Sequence, residues 1–129
     1  MVAALRDTIR RRAGDRCEYC PVPQAATPFM PFHIEHVIAR QHGGADDADN
    51  LALSCDRCNA HKGPNLSAVD PESGGLIELY HPRRDTWQDH FQMQSGVVVG
   101  LTARGRATVR LLNMNAPGRV QLRREATRG

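Results

Sequence analysis

Four cysteines occur in this 129-residue chain, in two pairs whose members are separated by two residues. A two-residue gap lets both sulfurs of a turn point at one ion, and two such turns supply the usual donor set of a closed tetrahedral zinc site. Disulfides are the competing use for four cysteines in a secreted chain. Residues 1–16 lack the long apolar run of an export signal, so we expect a reduced, cytoplasmic setting. The pattern favours a structural zinc ion held by Cys17, Cys20, Cys55 and Cys58.

Acidic, imidazole and amide side chains lie between the two cysteine pairs and directly after the second pair. Phosphodiester hydrolysis needs an activated water, a cation that polarises the phosphate, and a charge that offsets the one developing on it. Imidazole titrates near neutral pH, so His36 suits a general base. Glu35 and Asn59 offer hard oxygen donors for Mg²⁺ or Mn²⁺. Lys62 could face the phosphate, and Asn50 could hold His36 in place.

The sequence around these side chains predicts a strand, a loop, a second strand and a helix. Residues 32–39 alternate apolar and polar side chains, which is typical of a strand. Residues 50–54 form a short apolar segment that returns to the second cysteine pair. A helix is predicted over residues 55–62, because Gly63 is a good helix cap and a proline follows it.

Further polar side chains near this centre are candidates for contacts with a substrate. By the two-residue period of a strand, His33 shares a face with Glu35, where it could be a metal ligand, a phosphate contact or a packing residue. His61 lies about 200° around the predicted helix from Asn59, so it does not replace that residue. The predicted nucleic-acid contacts are Lys62, Arg40 and His61.

The rest of the chain carries weaker signals. Residues 2–13 predict an amphipathic helix ended by Gly14, and residues 76–80 and 97–101 predict strands. A short helix should reach Phe91, and Thr102 should cap a further helix. A basic helical tail that frays is expected from Gly118 onward. We therefore expect an α+β chain. Its core should span residues 1–66, and residues 67–129 should form a C-terminal extension of added strands and helices packed on that core.

The stretch from His33 to Gly63 resembles the HNH endonuclease family. The shared features are an acid-histidine pair, an Asn-Leu step, a C-x2-C-Asn run and a Lys-Gly step, and the resemblance covers about residues 14–65. It implies a ββα-metal core, also called a His-Me finger, in which a hairpin and a helix clamp one catalytic divalent ion. A zinc bracket of two C-x2-C pairs often lies behind that core.

The resemblance also implies roles for individual residues. Glu35 matches the acidic metal ligand, His36 the general base and Asn50 the middle asparagine of the family pattern. Asn59 stands where many members have histidine and others have asparagine. Because an amide oxygen is a hard donor, this asparagine should favour an oxygen-coordinated Mg²⁺ or Mn²⁺.

The implied activity is divalent-metal-dependent hydrolysis of phosphodiester bonds in DNA. A zinc-finger-like DNA-binding module that has lost catalysis is the first alternative, and a structural or partner-binding zinc domain is the second. Arginine-rich ends flank a more acidic middle: seven arginines lie in residues 104–129 and five in residues 1–16. Cations placed this way supply non-specific DNA affinity, although arginine on helices is commonly a solvated face. The C-terminal helices could also mediate a homodimer, and no segment predicts a membrane span.

Overall fold

The computed structural model describes residues 2–128, so Met1 and Gly129, the outer ends of the two predicted ranges, lie outside the described residues. The elements are α1 (Ala3–Ala13), β1 (His33–His36), β2 (Leu51–Ser54), α2 (Asp56–Lys62), β3 (Ser67–Val69), β4 (Leu76–Glu78), α3 (Trp87–His90), β5 (Phe91–Gln94), β6 (Val97–Gly100), α4 (Ala103–Leu111) and α5 (Pro117–Arg128). Short 3-10 turns occupy Gln24–Ala26, Arg40–His42 and Ala48–Asn50. None of the helices within residues 2–128 is long and apolar enough to cross a bilayer.

Strands β1 and β2 form an antiparallel hairpin, and helix α2 follows directly after β2. The register places His36 opposite Leu51 and Glu35 opposite Ala52. Strand β1 is shorter than predicted, because the backbone N–H groups of the two residues after it both donate hydrogen bonds to Asn50. Val37 N donates to the carbonyl oxygen of Asn50 at 2.8 Å, and Ile38 N donates to the Asn50 side chain at 2.9 Å. This hairpin and helix confirm the predicted ββα core.

Helix α1 ends at Gly14, as predicted, since that glycine adopts a left-handed conformation with φ 63°. The helix packs on β2. Its buried residue is Ile9, and Arg12 donates from Nη2 to the carbonyl oxygen of Leu51 at 2.6 Å and from Nη1 to that of Ala48 at 2.9 Å. The N-terminal helix therefore braces the second strand of the ββα core.

Two further antiparallel hairpins, β3 with β4 and β5 with β6, lie in the C-terminal half. The hydroxyl of Thr102 accepts from Gly105 N at 3.0 Å, so this residue caps α4 as expected. Strands β3 and β5 were not predicted. The three residues of β3 are too few for a period-two pattern, and Phe91, the expected end of a helix, instead begins β5.

Helix α5 is not the fraying basic tail that the sequence predicted. Arg123 is 2% exposed, and its guanidinium donates to three backbone carbonyls: Gly96 at 2.6 Å, Met114 at 2.8 Å and Cys20 at 3.3 Å. Arg119 is also buried and donates to Asp56 Oδ1 at 2.9 Å. The basic composition of this helix left DNA binding and a solvated face as the two interpretations, whereas two of its arginines donate to backbone carbonyls and to a carboxylate of the protein itself.

One hydrophobic cluster takes its buried members from both halves of the chain, between Ile9 and Met114. Tyr19, Leu51 and Leu53 contribute to it from the N-terminal part, and Phe91 and Val98 contribute from the C-terminal hairpins and loops. Its aromatic rings meet edge to face, with centroids of Tyr80 and Phe91 5.1 Å apart. The ββα core and the C-terminal half thus share one apolar cluster.

Candidate metal centre and active site

The four cysteine sulfurs lie within 4.8 Å of one another and all four residues are buried free thiols. Cys55 Sγ also accepts a hydrogen bond from Cys58 N at 3.4 Å, so this residue caps helix α2 as well. Burial raises the pKa of Cys17, whereas hydrogen bonds from the neighbouring thiols lower the pKa of Cys55. Four thiolates this close together repel one another unless a cation lies between them. Four cysteine sulfurs are the donor set of a structural zinc site.

A cleft of about 460 Å³ lies at the ββα core, and Glu35, His36 and Asn59 all line it. Strand β1 presents the first two side chains, and helix α2 presents the third. Arg40 and Gly63 lie at the same cleft. The predicted base and the two predicted oxygen donors, although separated by up to 24 positions in sequence, therefore share one surface depression.

Glu35 is buried and its two carboxylate oxygens have different surroundings. Oε1 accepts a hydrogen bond from the hydroxyl of Tyr19, whereas Oε2 lies 3.9 Å from the ammonium of Lys62 and accepts no hydrogen bond from any described residue. Burial raises the pKa of Glu35, and the Lys62 charge opposes that shift. The side chain of Asn59 also makes no hydrogen bond within residues 2–128. Oε2 and the Asn59 amide oxygen are thus free donors that fit a hard divalent ion.

His36 is held by Asp46, a residue that the sequence analysis did not select. His36 Nε2 lies 2.6 Å from Asp46 Oδ1, and Arg40 Nε donates to the same oxygen at 2.8 Å. Hydrogen bonds from Arg40 and His36 lower the pKa of Asp46. An ionised carboxylate only accepts hydrogen bonds, so Nε2 must carry the proton and Nδ1 is left with its lone pair in the neutral ring.

Asn50 acts on the backbone beside the cleft. Its Oδ1 accepts from Ile38 N, while its Nδ2 donates to the carbonyl oxygens of Ile38 and Ala45, each at 2.9 Å. It was expected to hold His36, and it instead fixes both ends of the loop that carries Arg40 and Asp46.

The remaining predicted site residues lie elsewhere. Lys62 is 2% exposed and donates to the carbonyl oxygen of Val37 at 2.8 Å, so the expectation that it faces a phosphate is wrong. Burial lowers the pKa of Lys62. His33 and His61 are exposed but do not line the cleft, and Arg40 does line it.

Tyr19 and Asp46 are the functional candidates that sequence reasoning missed. Asp46 belongs to an acidic run with Asp47 and Asp49, and nothing in the run distinguishes the residue that meets His36. Tyr19 offered one signal, its place between two zinc-type cysteines, which fixes its backbone. Both contacts arise from chain reversals that spacing alone does not define.

In a comparison with protein families, residues 17–65 match the model of the family described as HNH endonuclease. Comparisons with curated proteins and with solved structures gave no significant match. The matched range begins at the first zinc-type cysteine and includes the whole hairpin and helix. Residues 17–65 are thus similar to the HNH endonuclease family, and the four cysteines within them are positioned for zinc, which fits the zinc-bracketed form of that family.

Proposed function

We propose that this protein is a divalent-metal-dependent endonuclease that hydrolyses phosphodiester bonds in DNA. The observation that carries the proposal is the shared cleft of Glu35, His36 and Asn59, which brings a base and two oxygen donors together. The family match supports a nuclease-type or DNA-binding function in general terms. The intact set of cleft residues favours catalysis over binding alone.

In the proposed reaction, His36 Nδ1 takes a proton from a water molecule. The water oxygen attacks the phosphorus in line as the bond to the 3′ oxygen breaks. Nε2–H keeps its hydrogen bond to Asp46, whose negative charge stabilises the imidazolium that forms. Asp46 thereby selects the tautomer with a basic Nδ1, and it is assigned a positioning role.

Glu35 Oε2 and the Asn59 amide oxygen are proposed to hold Mg²⁺ or Mn²⁺. When bound, such an ion stabilises negative charge on the scissile phosphate and its leaving oxygen. Within residues 2–128 the four cysteines are the one cluster of three or more His, Cys, Asp or Glu that could ligate a metal. A cleft with two protein oxygens suits Mg²⁺, which keeps several waters and uses substrate phosphate as a ligand.

DNA contact is assigned to the exposed basic groups near the cleft. Arg40 lines the cleft, and its side chain is 72% exposed even though it pairs with Asp46. His61 is exposed and lies on α2 between Asn59 and Gly63, which both line the cleft, and it is assigned the same role. These groups would bind the phosphate backbone, which positions a duplex and carries little sequence information.

Replacing Asp46 with asparagine is expected to slow DNA nicking about tenfold, because an amide supports the other histidine tautomer equally well. The loss should stay well short of the ~10⁴-fold effect of a buried aspartate in this role, since the Asp46 side chain is 66% exposed. The measurement is the initial rate of supercoiled-plasmid nicking at saturating Mg²⁺.

The matched control for that variant is Asp47→Asn, which removes the same charge one position along the chain. Asp47 accepts a hydrogen bond from Asp49 N at 3.1 Å, and asparagine can make the same bond. Equal nicking rates for the Asp46→Asn and Asp47→Asn variants would remove Asp46 from the mechanism.

The test of the proposed function is plasmid cleavage by zinc-loaded protein with Mg²⁺, with Mn²⁺ or with EDTA. We expect nicking with either metal and none with EDTA. Salt-sensitive retardation of DNA without cleavage would instead identify a DNA-binding module that has lost catalysis. The absence of both cleavage and salt-sensitive binding would indicate a structural or partner-binding zinc domain.

A further inference from the structure

We infer that Tyr19 is a positioning residue for the cleft carboxylate of Glu35. It ties that carboxylate to the turn of residues 17–20, which carries the first cysteine pair and is called the knuckle below. The inference rests on the proposed function, because it concerns the affinity of the same cleft for its divalent ion. Tyr19 does not itself line the cleft; it acts through the hydrogen bond from its hydroxyl to Oε1 of Glu35, which does line it.

The knuckle fixes Tyr19 from several directions. Cys17 and Cys20 flank it in sequence and lie in the four-sulfur cluster. Its carbonyl oxygen accepts a hydrogen bond from Trp87 Nε1 at 2.9 Å, and its ring packs edge to face on Tyr80 with centroids 6.2 Å apart. The residue is fully buried. These contacts hold the ring of Tyr19, and with it the hydroxyl, beside Glu35.

The knuckle is also aligned with the hairpin that carries Glu35. Glu18 N donates to the carbonyl oxygen of Leu53 at 2.9 Å, and Leu53 N donates back to the Glu18 carboxylate at 2.7 Å. Leu53 is the register partner of Ile34, the residue before Glu35. The distance from the tyrosine hydroxyl to the carboxylate is therefore set by backbone pairing as well as by the cysteines.

The hydroxyl of Tyr19 matters because the ammonium of Lys62 lies near the other carboxylate oxygen of Glu35. The Lys62 ammonium is 3.9 Å from Oε2, too far for a hydrogen bond, and it is buried against the carbonyl oxygen of Val37. A carboxylate released from Tyr19 can rotate and shorten this ion pair to hydrogen-bond distance. Oε2 would then be occupied by an ammonium and would bind a divalent ion weakly. Tyr19 keeps Oε2 available by holding Oε1.

The hydroxyl of Tyr19 donates to Glu35 Oε1. A hydrogen bond from a phenol to a carboxylate is charge-assisted, so it is stronger than one between neutral groups.

The experiment measures Mn²⁺ binding to zinc-loaded protein by the electron paramagnetic resonance signal of free Mn²⁺. Tyr19→Phe should weaken binding about 10–100-fold, the usual effect of removing a group that orients a metal ligand. Tyr80→Phe is the matched control, since Tyr80 is a buried tyrosine of the same cluster whose hydroxyl makes no hydrogen bond within the described residues. Its Kd for Mn²⁺ should equal that of the wild type.

Glu35→Gln separates this inference from the proposed function. Weak binding by Glu35→Gln together with wild-type binding by Tyr19→Phe would overturn the role of Tyr19 and leave the cleft assignment in place. Wild-type binding by Glu35→Gln, or no Mn²⁺ binding by the wild type, would overturn both.

A second readout distinguishes positioning from a general loss of structure. Tyr19→Phe should need about 10–100-fold more Mg²⁺ for half-maximal nicking and should approach the wild-type rate at saturating Mg²⁺. Zinc content and thermal midpoint should match those of Tyr80→Phe. A reduced maximal rate with unchanged Mg²⁺ dependence would contradict the inference.

Discussion

Replacing His36 with alanine is expected to lower the rate of DNA nicking by about 10²–10⁴-fold, the usual contribution of a general base. The variant should keep its fold and its zinc. His36 lies at the edge of the cleft with its side chain 18% exposed, and its hydrogen bond goes to the exposed Asp46. Initial rates of supercoiled-plasmid nicking with Mg²⁺, together with the thermal midpoint, measure both halves of this prediction.

His42→Ala is the control for that substitution. His42 is an exposed histidine in the 3-10 turn next to the cleft, and it does not line the cleft. Its removal should leave nicking unchanged, which would exclude a general effect of losing an imidazole. If the His36→Ala variant cut DNA as fast as the wild type, His36 would not be the base.

Replacing Cys55 with serine is expected to abolish the cooperative thermal transition of the protein. Zinc binding to a structural site contributes about 10–16 kcal/mol in small zinc modules, which matches or exceeds the total stability of about 5–15 kcal/mol of a typical domain. Cys55 is fully buried, lies 3.7 Å in sulfur-sulfur distance from Cys20, and caps helix α2. One substitution therefore removes a zinc ligand at the start of the helix that carries Asn59.

The measurements for that variant are circular-dichroism melting and zinc content after gel filtration. Ser54→Ala is the control at the adjacent buried position, where the hydroxyl donates one hydrogen bond to the Cys55 carbonyl oxygen at 3.2 Å. It should keep its zinc and lose only about 1 kcal/mol of unfolding free energy. A Cys55→Ser protein with native thermal midpoint and zinc content would show that the knuckles do not stabilise the fold.

The ββα core was predictable from sequence because its signals are local. Three local signals each define one element, and all three elements are present. Alternation over residues 32–39 predicts β1, the short apolar segment before Cys55 predicts β2, and the glycine after Lys62 predicts the end of α2. The C-x2-C spacing likewise predicted the sulfur cluster. Because β1 and α2 contact each other in this core, Glu35, His36 and Asn59 meet at one cleft.

The partners of the site residues were not predictable in the same way. The bond between His36 and Asp46 depends on how the 3-10 turn at residues 40–42 reverses the chain, and three acidic residues were equal candidates. The burial of Lys62 depends on a free carbonyl at Val37, where β1 ends early. Such contacts depend on tertiary geometry.

Charge was the least reliable guide. The arginines of α5 suggested a fraying tail that either binds DNA or is solvated. A guanidinium, however, has five donors and a long apolar stem, so it can be buried where carbonyls converge. Arg123 meets that condition among the carbonyls of Gly96, Met114 and Cys20. The sequence shows the charge of this helix, and only the fold shows what accepts its hydrogen bonds.

The contact between Arg123 and Cys20 spans 103 positions of the chain, which has a consequence for biosynthesis. At about 5–20 residues per second, the ribosome adds Arg123 about 5–20 s after Cys20. During that interval the nascent knuckle has its tyrosine and its thiols but lacks the helix that covers its backbone. Newly made chains are therefore most exposed to thiol oxidation and proteolysis before α5 emerges from the ribosome.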